Sequence, residues 1–172
     1  MALPIIDVPT YEVTVPSDGK VLTVRPFTVK EEKLLLMAVE TENLDDIIKT
    51  VKQIIGNCII KGDFNVDKAP FFDIDYLFIF LRGKSIGEGV EVNLTCNNVL
   101  ESGNVCNHIF QTQLDVSKIE VEKPEGISDT INLNDDKGVK MKYPNYAVMK
   151  RIESNEVDQV TNLIVASLDH IF

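Results

Sequence analysis

The sequence predicts an α+β fold, and three observations support this class. Hydrophobic residues make up 44% of the 172 positions, which is typical of a chain with a packed core. Apolar residues recur at every second position in several short segments, as in half-buried strands. Between residues 28 and 88 they recur instead at spacings of three and four, as on one face of a helix. We therefore expect an N-terminal β-hairpin and a three-helix cluster in residues 1–88, a β-hairpin module in 89–143, and C-terminal helices in 144–172 that pack on the cluster.

The N-terminal hairpin is predicted from two alternating segments and the turn between them. Residues 11–15 and 21–24 alternate polar with apolar side chains. Pro16, Ser17, Asp18 and Gly19 separate them and are typical turn residues. The two segments are therefore expected to pair as antiparallel strands.

The first two helices are predicted from their capping residues. Thr28 and Glu31 fit a capping box, in which each side chain satisfies a free backbone amide of the other residue. The helix that follows should end near Thr41, and Asn43 can cap the next one. The apolar residues of that second helix fall on a single face: Leu44, Ile47, Ile48, Val51, Ile54, Ile55 and Cys58.

A third helix is predicted after Ala69 and Pro70, ending near Gly83 or Gly87. It is apolar on nearly every side, so it should lie centrally in the cluster. We expect its two acids, Asp73 and Asp75, to form its one solvated stripe. Five of the twelve aromatic residues of the chain lie in it: Phe71, Phe72, Tyr76, Phe78 and Phe80.

The second half of the chain changes to short β segments. Residues 90–95 with 109–114, and 130–133 with 139–143, predict two hairpins. Residues 134–138 are expected to form a turn in which Gly138 adopts a positive φ, and 118–128 a polar linker. A last apolar periodicity predicts one C-terminal helix, through Val157, Val160, Leu163, Ile164, Ala166, Leu168 and Ile171.

Composition and motif content exclude several classes of function. A net charge of −10 disfavours nucleic acids and anionic membranes as partners. The start of the chain has no signal-peptide pattern, and three cysteines cannot all pair, so we expect a reducing cytoplasm. The motifs GxGxxG and HExxH and the Walker loop are absent from the sequence, which has only two histidines. An enzyme is not expected, and a small enzyme with an unrecognised carboxylate site is kept only as a third reading.

One group of residues has metal-binding chemistry: Cys96, Cys106 and His108. Zinc uses such residues, but its usual knuckle separates two cysteines by two to four residues, and nine intervene here. The group is at most part of a tetrahedral site that would need a fourth ligand. Cys58 is more simply explained as a core residue. We therefore expect no cofactor and a metal-free loop, and keep a zinc-ribbon adaptor as the main reading from another class.

Several blocks of the sequence together resemble a known family. They are residues 9–20, 24–36, 72–78, 81–88, 96–108 and 138–144, which follow one another over nearly the whole chain. In this order they resemble the baseplate hub and assembly proteins of T-even-type myophages. Members of that family as a rule continue beyond the equivalent of Phe172 with more helix and further cysteines, so the resemblance also implies a longer protein.

The resemblance implies a hub subunit or hub-assembly factor of the phage tail baseplate that acts by binding proteins. A chaperone that loads the tape-measure protein is a related reading. The implied partners are hub or tape-measure proteins, with no small-molecule substrate. The implied location is the host cytoplasm during assembly, and the tail baseplate of the virion if the protein is retained.

We expect partner binding at the third helix and its exit, residues 71–87, together with the N-terminal hairpin. The helix has more rings than the inward face of one helix needs, so some should face outward. Aromatic anchors next to an arginine are typical of interfaces. The opposing reading is that all the rings are buried under the other helices, and that Arg82 and Lys84 only complement the helix dipole. The residues predicted to bind the partner are Phe72, Tyr76, Arg82 and Lys84.

Overall fold

The computed structural model describes residues 8–122, 126–134, 137–150 and 158–172, with the backbone of 151–153. The described chain is a mixed α+β fold, as predicted, with five helices and three small antiparallel sheets. The helices are α1 (Val29–Glu40), α2 (Leu44–Cys58), α3 (Phe71–Ser85), α4 (Tyr146–Glu153) and α5 (Gln159–Ala166). The strands are β1 (Tyr11–Thr14), β2 (Val21–Val24), β3 (Ile59–Lys61), β4 (Gly89–Thr95), β5 (Ile109–Asp115), β6 (Thr130–Asn134), β7 (Lys137–Met141) and β8 (Leu168–Ile171). None of the helices in these ranges is both long and apolar enough to cross a membrane.

The N-terminal hairpin is confirmed, and it gains a third strand that the sequence did not predict. β1 pairs with β2 in a register that places Tyr11 opposite Val24. β3 then adds to the other edge of β2. It was missed because Ile59 follows α2 directly: its extended backbone, at φ −74° and ψ 119°, turns the chain from helix into strand without a turn sequence.

The predicted helix starts are confirmed by their caps. The Thr28 hydroxyl accepts from the Glu31 amide, and the Glu31 carboxylate accepts from the Thr28 amide, so the capping box is formed. The Asn43 side chain accepts from the Asp45 amide at 3.0 Å. Each interaction satisfies a backbone N–H that has no partner within the helix. α1 and α2 therefore begin where the sequence places them.

The hydrophobic core lies between the N-terminal sheet and the helical cluster. α3 is central to it, as predicted, with a fully buried stripe at Ile74, Leu77 and Leu81. Cys58 is also a core residue, as predicted, and burial raises the pKa of its thiol to about 11. The buried members of this core are Val13, Val15, Leu22, Val24, Phe27, Ile54, Ile55, Cys58, Ala69, Ile74, Leu77 and Leu81.

The two later hairpins are confirmed, but one turn detail is wrong. Gly138 does not adopt a positive φ in the turn; it lies within β7 and is buried. Its lack of a side chain leaves room for the ring of Phe172, since a Cβ at Gly138 would lie only 2.5 Å from Cζ of that ring. Residues 135 and 136, the middle of the predicted turn, lie outside the described residues.

The predicted C-terminal helix is confirmed as far as Ala166, but its last part is wrong. α5 ends at Ala166, and the chain continues as β8, which pairs with β7. Phe172 extends this pairing, because its N–H and C=O exchange hydrogen bonds of 3.0 and 2.8 Å with Gly138. The free edge of β7 therefore pairs with β8, whose residues were predicted to be helical. Val157, the first residue of the predicted helix, lies outside the described residues.

α4 contacts the start of α3. The Phe71 amide donates to the Pro144 carbonyl at 3.2 Å, just before α4 begins. The Tyr146 ring lies edge-on to the Phe71 ring, 6.3 Å between centroids. α5 packs against α4 in turn. The chain after the β hairpins therefore returns to α3 through α4.

Candidate partner-binding surface

α3 exposes its aromatic residues only in part. Its five rings flank the buried stripe, and each is half-buried. Neither sequence reading is therefore complete: the rings are not all enclosed, and none points fully into solvent. They leave partial aromatic surface along both sides of the helix.

Phe72 lies at the start of this surface. Its ring packs edge-on against the ring of Tyr143, with 5.0 Å between centroids. Tyr143 precedes α4 and is 55% exposed. Phe72 thus shares its contact surface with a second, more exposed aromatic residue.

Tyr76 and Lys84 lie together in a cleft of about 100 Å³ between α3 and the segment after β5. The cleft is floored by Gly83, where a Cβ would lie 3.2 Å from Cγ2 of Val116. The small residue therefore lets the chain after β5 approach the helix closely. The remaining lining side chains include Ile79, Phe80, Glu88 and Ile119.

The two cations of the predicted site bind the connection between α3 and β4. Arg82 Nη1 donates to the Gly87 carbonyl at 3.0 Å. Lys84 Nζ lies 2.6 Å from Glu88 Oε1, and this hydrogen bond raises the pKa of Lys84. The same ammonium lies 5.5 Å from the centroid of the Tyr11 ring in β1, within cation–π range. Lys84 therefore contacts the N-terminal hairpin, whereas Arg82 contacts the connection between α3 and β4.

The two acids of α3 differ from the predicted solvated stripe. Asp73 is fully buried, and its carboxylate accepts from the amide and the hydroxyl of Ser17, at 3.0 and 2.5 Å. Asp75 is exposed and accepts from the Tyr146 hydroxyl, whose pKa is raised by burial and by this carboxylate. The stripe prediction is wrong for Asp73, because a turn residue of the N-terminal hairpin reaches over to it. Each acid ties α3 to another element.

The Cys96 to His108 segment extends the β4–β5 hairpin rather than forming a separate knuckle. The Cys96 amide donates to the His108 carbonyl, and the Cys106 amide to the Asn98 carbonyl, both at 2.8 Å. Both thiols are free and half-buried, whereas His108 is exposed. Within the described ranges, no group of three or more His, Cys, Asp or Glu side chains is arranged to hold a metal ion.

An apolar groove between α2, α3 and α4 was not anticipated from the sequence. Its volume is about 440 Å³, and the Asp45–Lys150 ion pair lies at its rim. Its α2 wall belongs to the apolar face predicted for that helix, and there Ile47, Ile48 and Val51 are half-buried. The sequence indicates this groove only through the length of the apolar face of α2, which is longer than the part of that face that packs on α3.

A family model described as T4 bacteriophage base plate protein matches residues 8–172. No curated protein and no solved structure matches the chain. The match spans every described element, from β1 to β8. The chain therefore belongs to the family of T4 bacteriophage base plate proteins.

Proposed function

We propose that this protein is a subunit or assembly factor of the baseplate hub and acts by binding other proteins, without turnover chemistry. The observation that supports it is the family match over residues 8–172, which makes it a baseplate protein. The hub is the finer assignment that the order of sequence blocks suggests. Assembly in the host cytoplasm, followed by a place in the virion tail, is part of the same proposal.

The proposed contact surface is α3 and its exit, residues 71–87, with β1 of the N-terminal hairpin beside it. It combines the partly exposed rings of Phe72 and Tyr76 with the cations Arg82 and Lys84. Aromatic and arginine side chains are enriched where protein partners make their strongest contacts. Lys84 also lies over the rings of Tyr11 and Phe80, so cation and aromatic groups share one surface.

The experiment is charge reversal in a phage that encodes the variant. Arg82→Glu and Lys84→Glu should give folded protein but stalled hub assembly and fewer complete tails. Mass spectrometry of assembly intermediates and finished particles would show where the protein is lost. Presence only in intermediates would favour an assembly factor, including a tape-measure chaperone, whereas presence in finished tails would favour a subunit.

Two controls separate partner contact from internal structure. Glu88→Gln removes the Lys84 ion pair but keeps the Lys84 charge, so it should leave assembly intact if Lys84 contacts a partner. Lys49→Glu reverses an exposed charge on α2, away from the proposed surface. Normal tail yield from both charge-reversal variants at Arg82 and Lys84 would contradict this placement. Failure of the wild-type protein to bind any hub or tape-measure protein would contradict the hub assignment itself.

A further inference from the structure

α1 presents a stripe of side chains to solvent on the side away from the core. The inward side of the helix carries its two buried residues, Glu31 and Ala38. The residues on the opposite side recur at spacings of three and four, as on one helical face, and all of them are exposed. This outward stripe of α1 consists of Val29, Lys33, Leu36, Met37 and Glu40.

Three members of the outward stripe are large apolar residues that the described part of the chain leaves uncovered. Val29, Leu36 and Met37 are 80%, 58% and 55% exposed. Single exposed apolar side chains are common on proteins, whereas several on one helical face are typical of an interaction site. The outward stripe is therefore a candidate surface for packing against a second helix.

The two charged members of the stripe have opposite sign and lie symmetrically about its apolar centre. Lys33 lies three positions before Leu36. Glu40 lies three positions after Met37. Neither charge forms an ion pair with another residue in the described ranges. The stripe is therefore apolar in the middle, basic on one side and acidic on the other.

This order of side chains is complementary to itself when two copies of α1 pack antiparallel. A two-fold axis between Leu36 and Met37 brings Leu36 of one copy against Met37 of the other. The same axis places each Lys33 opposite Glu40 of the second copy, so that two ion pairs flank the apolar centre. A parallel pairing would instead oppose Lys33 to Lys33 and Glu40 to Glu40, and like charges across a helix pair repel each other. The charge order therefore favours the antiparallel arrangement.

The acidity of the whole chain does not prevent this contact. Two chains of net charge −10 repel each other, but exposed charges more than about 8 Å apart are largely screened at physiological ionic strength. α1 itself is electrically balanced. Glu31 is paired with Arg25, and the two lysines and two other glutamates of the helix cancel. The repulsion between the two copies is therefore not concentrated at the stripe.

The length of α1 sets the strength of the contact. A helix of 12 residues is about 18 Å long. One pair of such helices buries less than the roughly 1,200 Å² at the lower end of stable protein interfaces. The expected dimer is therefore weak, with a dissociation constant in the micromolar to millimolar range.

We propose that two copies of this protein associate through the outward stripe of α1, antiparallel about a two-fold axis between Leu36 and Met37. The dimer goes beyond the proposed function, and the stripe shares no residue with the contact surface proposed on α3 and β1. Its failure would leave the hub proposal unchanged, because the two surfaces are tested by different variants.

Exchange of the two charges tests this arrangement. Lys33→Glu and Glu40→Lys each place like charges on both sides of the contact, so each should raise the dissociation constant of the dimer about tenfold or more. An equimolar mixture of the two variants regains both attractive pairs in a mixed dimer and should associate about as tightly as wild type. Sedimentation equilibrium of the full chain at concentrations up to about 1 mM measures all three. Both positions are exposed, so thermal unfolding should show that the variants fold normally.

Two further variants separate the stripe from the rest of the surface. Leu36→Glu places a charge in the apolar centre and should raise the dissociation constant at least as much as either charge reversal. Lys49→Glu reverses an exposed charge on α2, outside the stripe, and should associate like wild type. A wild-type protein that stays monomeric up to about 1 mM would overturn the proposal. So would a mixture of Lys33→Glu and Glu40→Lys that associates no better than either variant alone.

Photo-crosslinking tests which element lies against the stripe. A benzophenone amino acid at position 37 of the full chain should crosslink to α1 of a second copy, near Leu36. A mixture of unlabelled and isotope-labelled protein shows that the two crosslinked peptides come from different copies. Crosslinks to another element of the second copy, with none to α1, would contradict the antiparallel contact.

Discussion

Arg25 and Glu31 form a two-point ion pair in which both N–O distances are 2.9 Å. Glu31 also accepts from the Thr28 amide at 2.7 Å, and Arg25 donates to the Asn57 carbonyl at 3.1 Å. The pair therefore ties the end of β2 to the first turn of α1 and the last turn of α2. The Arg25 guanidinium holds the pKa of the largely buried Glu31 carboxyl down to about 2, from an ordinary 4.5.

This pair predicts an acid-sensitive contribution to stability. Because the folded pKa of Glu31 lies below the unfolded value, the contribution is complete above the unfolded pKa and is lost as the pH falls from about 4.5 toward 2. Its size is on the order of 3 kcal/mol. Urea unfolding between pH 7 and 3 should show that Glu31→Gln is less stable than wild type at pH 7 and loses less stability on acidification. Glu32→Gln, in the same helical turn, is the control, and an equal acid response in Glu31→Gln and wild type would contradict the assignment.

Substitutions that create a cavity in the core are expected to lower the free energy of unfolding strongly. Ile54 and Leu77 are each only 1% exposed, on α2 and α3. Truncation to Ala should lower the free energy of unfolding by about 2 to 5 kcal/mol, since it removes buried methyl groups and leaves a cavity. Leu44→Ala is the matched control on α2, because Leu44 is 68% exposed. Denaturant unfolding measures all three, and a loss under about 0.5 kcal/mol for Ile54→Ala would place it at the surface.

Replacing Gly62 by alanine is expected to reduce stability through both the backbone conformation and the packing of the core. It follows β3 with φ at +113°, and a Cβ there would lie 2.4 Å from Leu22 Cδ2 in the core. Gly62→Ala should therefore cost more than the backbone strain of about 1 kcal/mol expected from a positive φ alone. Gly19→Ala isolates that strain, because Gly19 has φ +73° and a Cβ added there would have no neighbouring atom within 4 Å. Thermal unfolding compares the two, and equal losses would show that Leu22 moves aside at no cost.

Local signals predicted the first half of the fold well, for a physical reason. The caps at Thr28 and Asn43 and the turn before Lys20 depend on residues a few positions apart, so the sequence displays them directly. β3 and β8 depend instead on the free edges of β2 and β7, which are distant in sequence. Pairing to a distant edge leaves no local pattern, and the apolar spacing of residues 168–171 fits a helix as well as a strand.

The candidate surface was predictable in composition but not in detail. The aromatic content of α3 and the two cations at its end are visible in the sequence. Their intramolecular partners are not: Arg82 binds Gly87, Lys84 binds Glu88, and the distant Ser17 binds Asp73. The outward stripe of α1 follows from helical spacing, but its exposure could not be predicted, because it depends on where the core lies.

The reactivity of the three cysteine thiols tests the structure at the tip of the β4–β5 hairpin. Cys58 is fully buried and its thiol pKa is raised to about 11, so a native sample at pH 8 should leave it unmodified by iodoacetamide. Cys96 and Cys106 are half-buried free thiols and should both react, giving two adducts by intact mass and a third only in denaturant.

Because at most three candidate ligands lie near the tip, we also expect no stoichiometric zinc in protein purified from zinc-supplemented medium. A complete structural site would contribute about 10 to 16 kcal/mol, enough for a chelator to unfold the domain. Bound zinc measured by mass spectrometry, together with protection of Cys96 and Cys106 that a chelator removes, would show instead that the tip is a metal site.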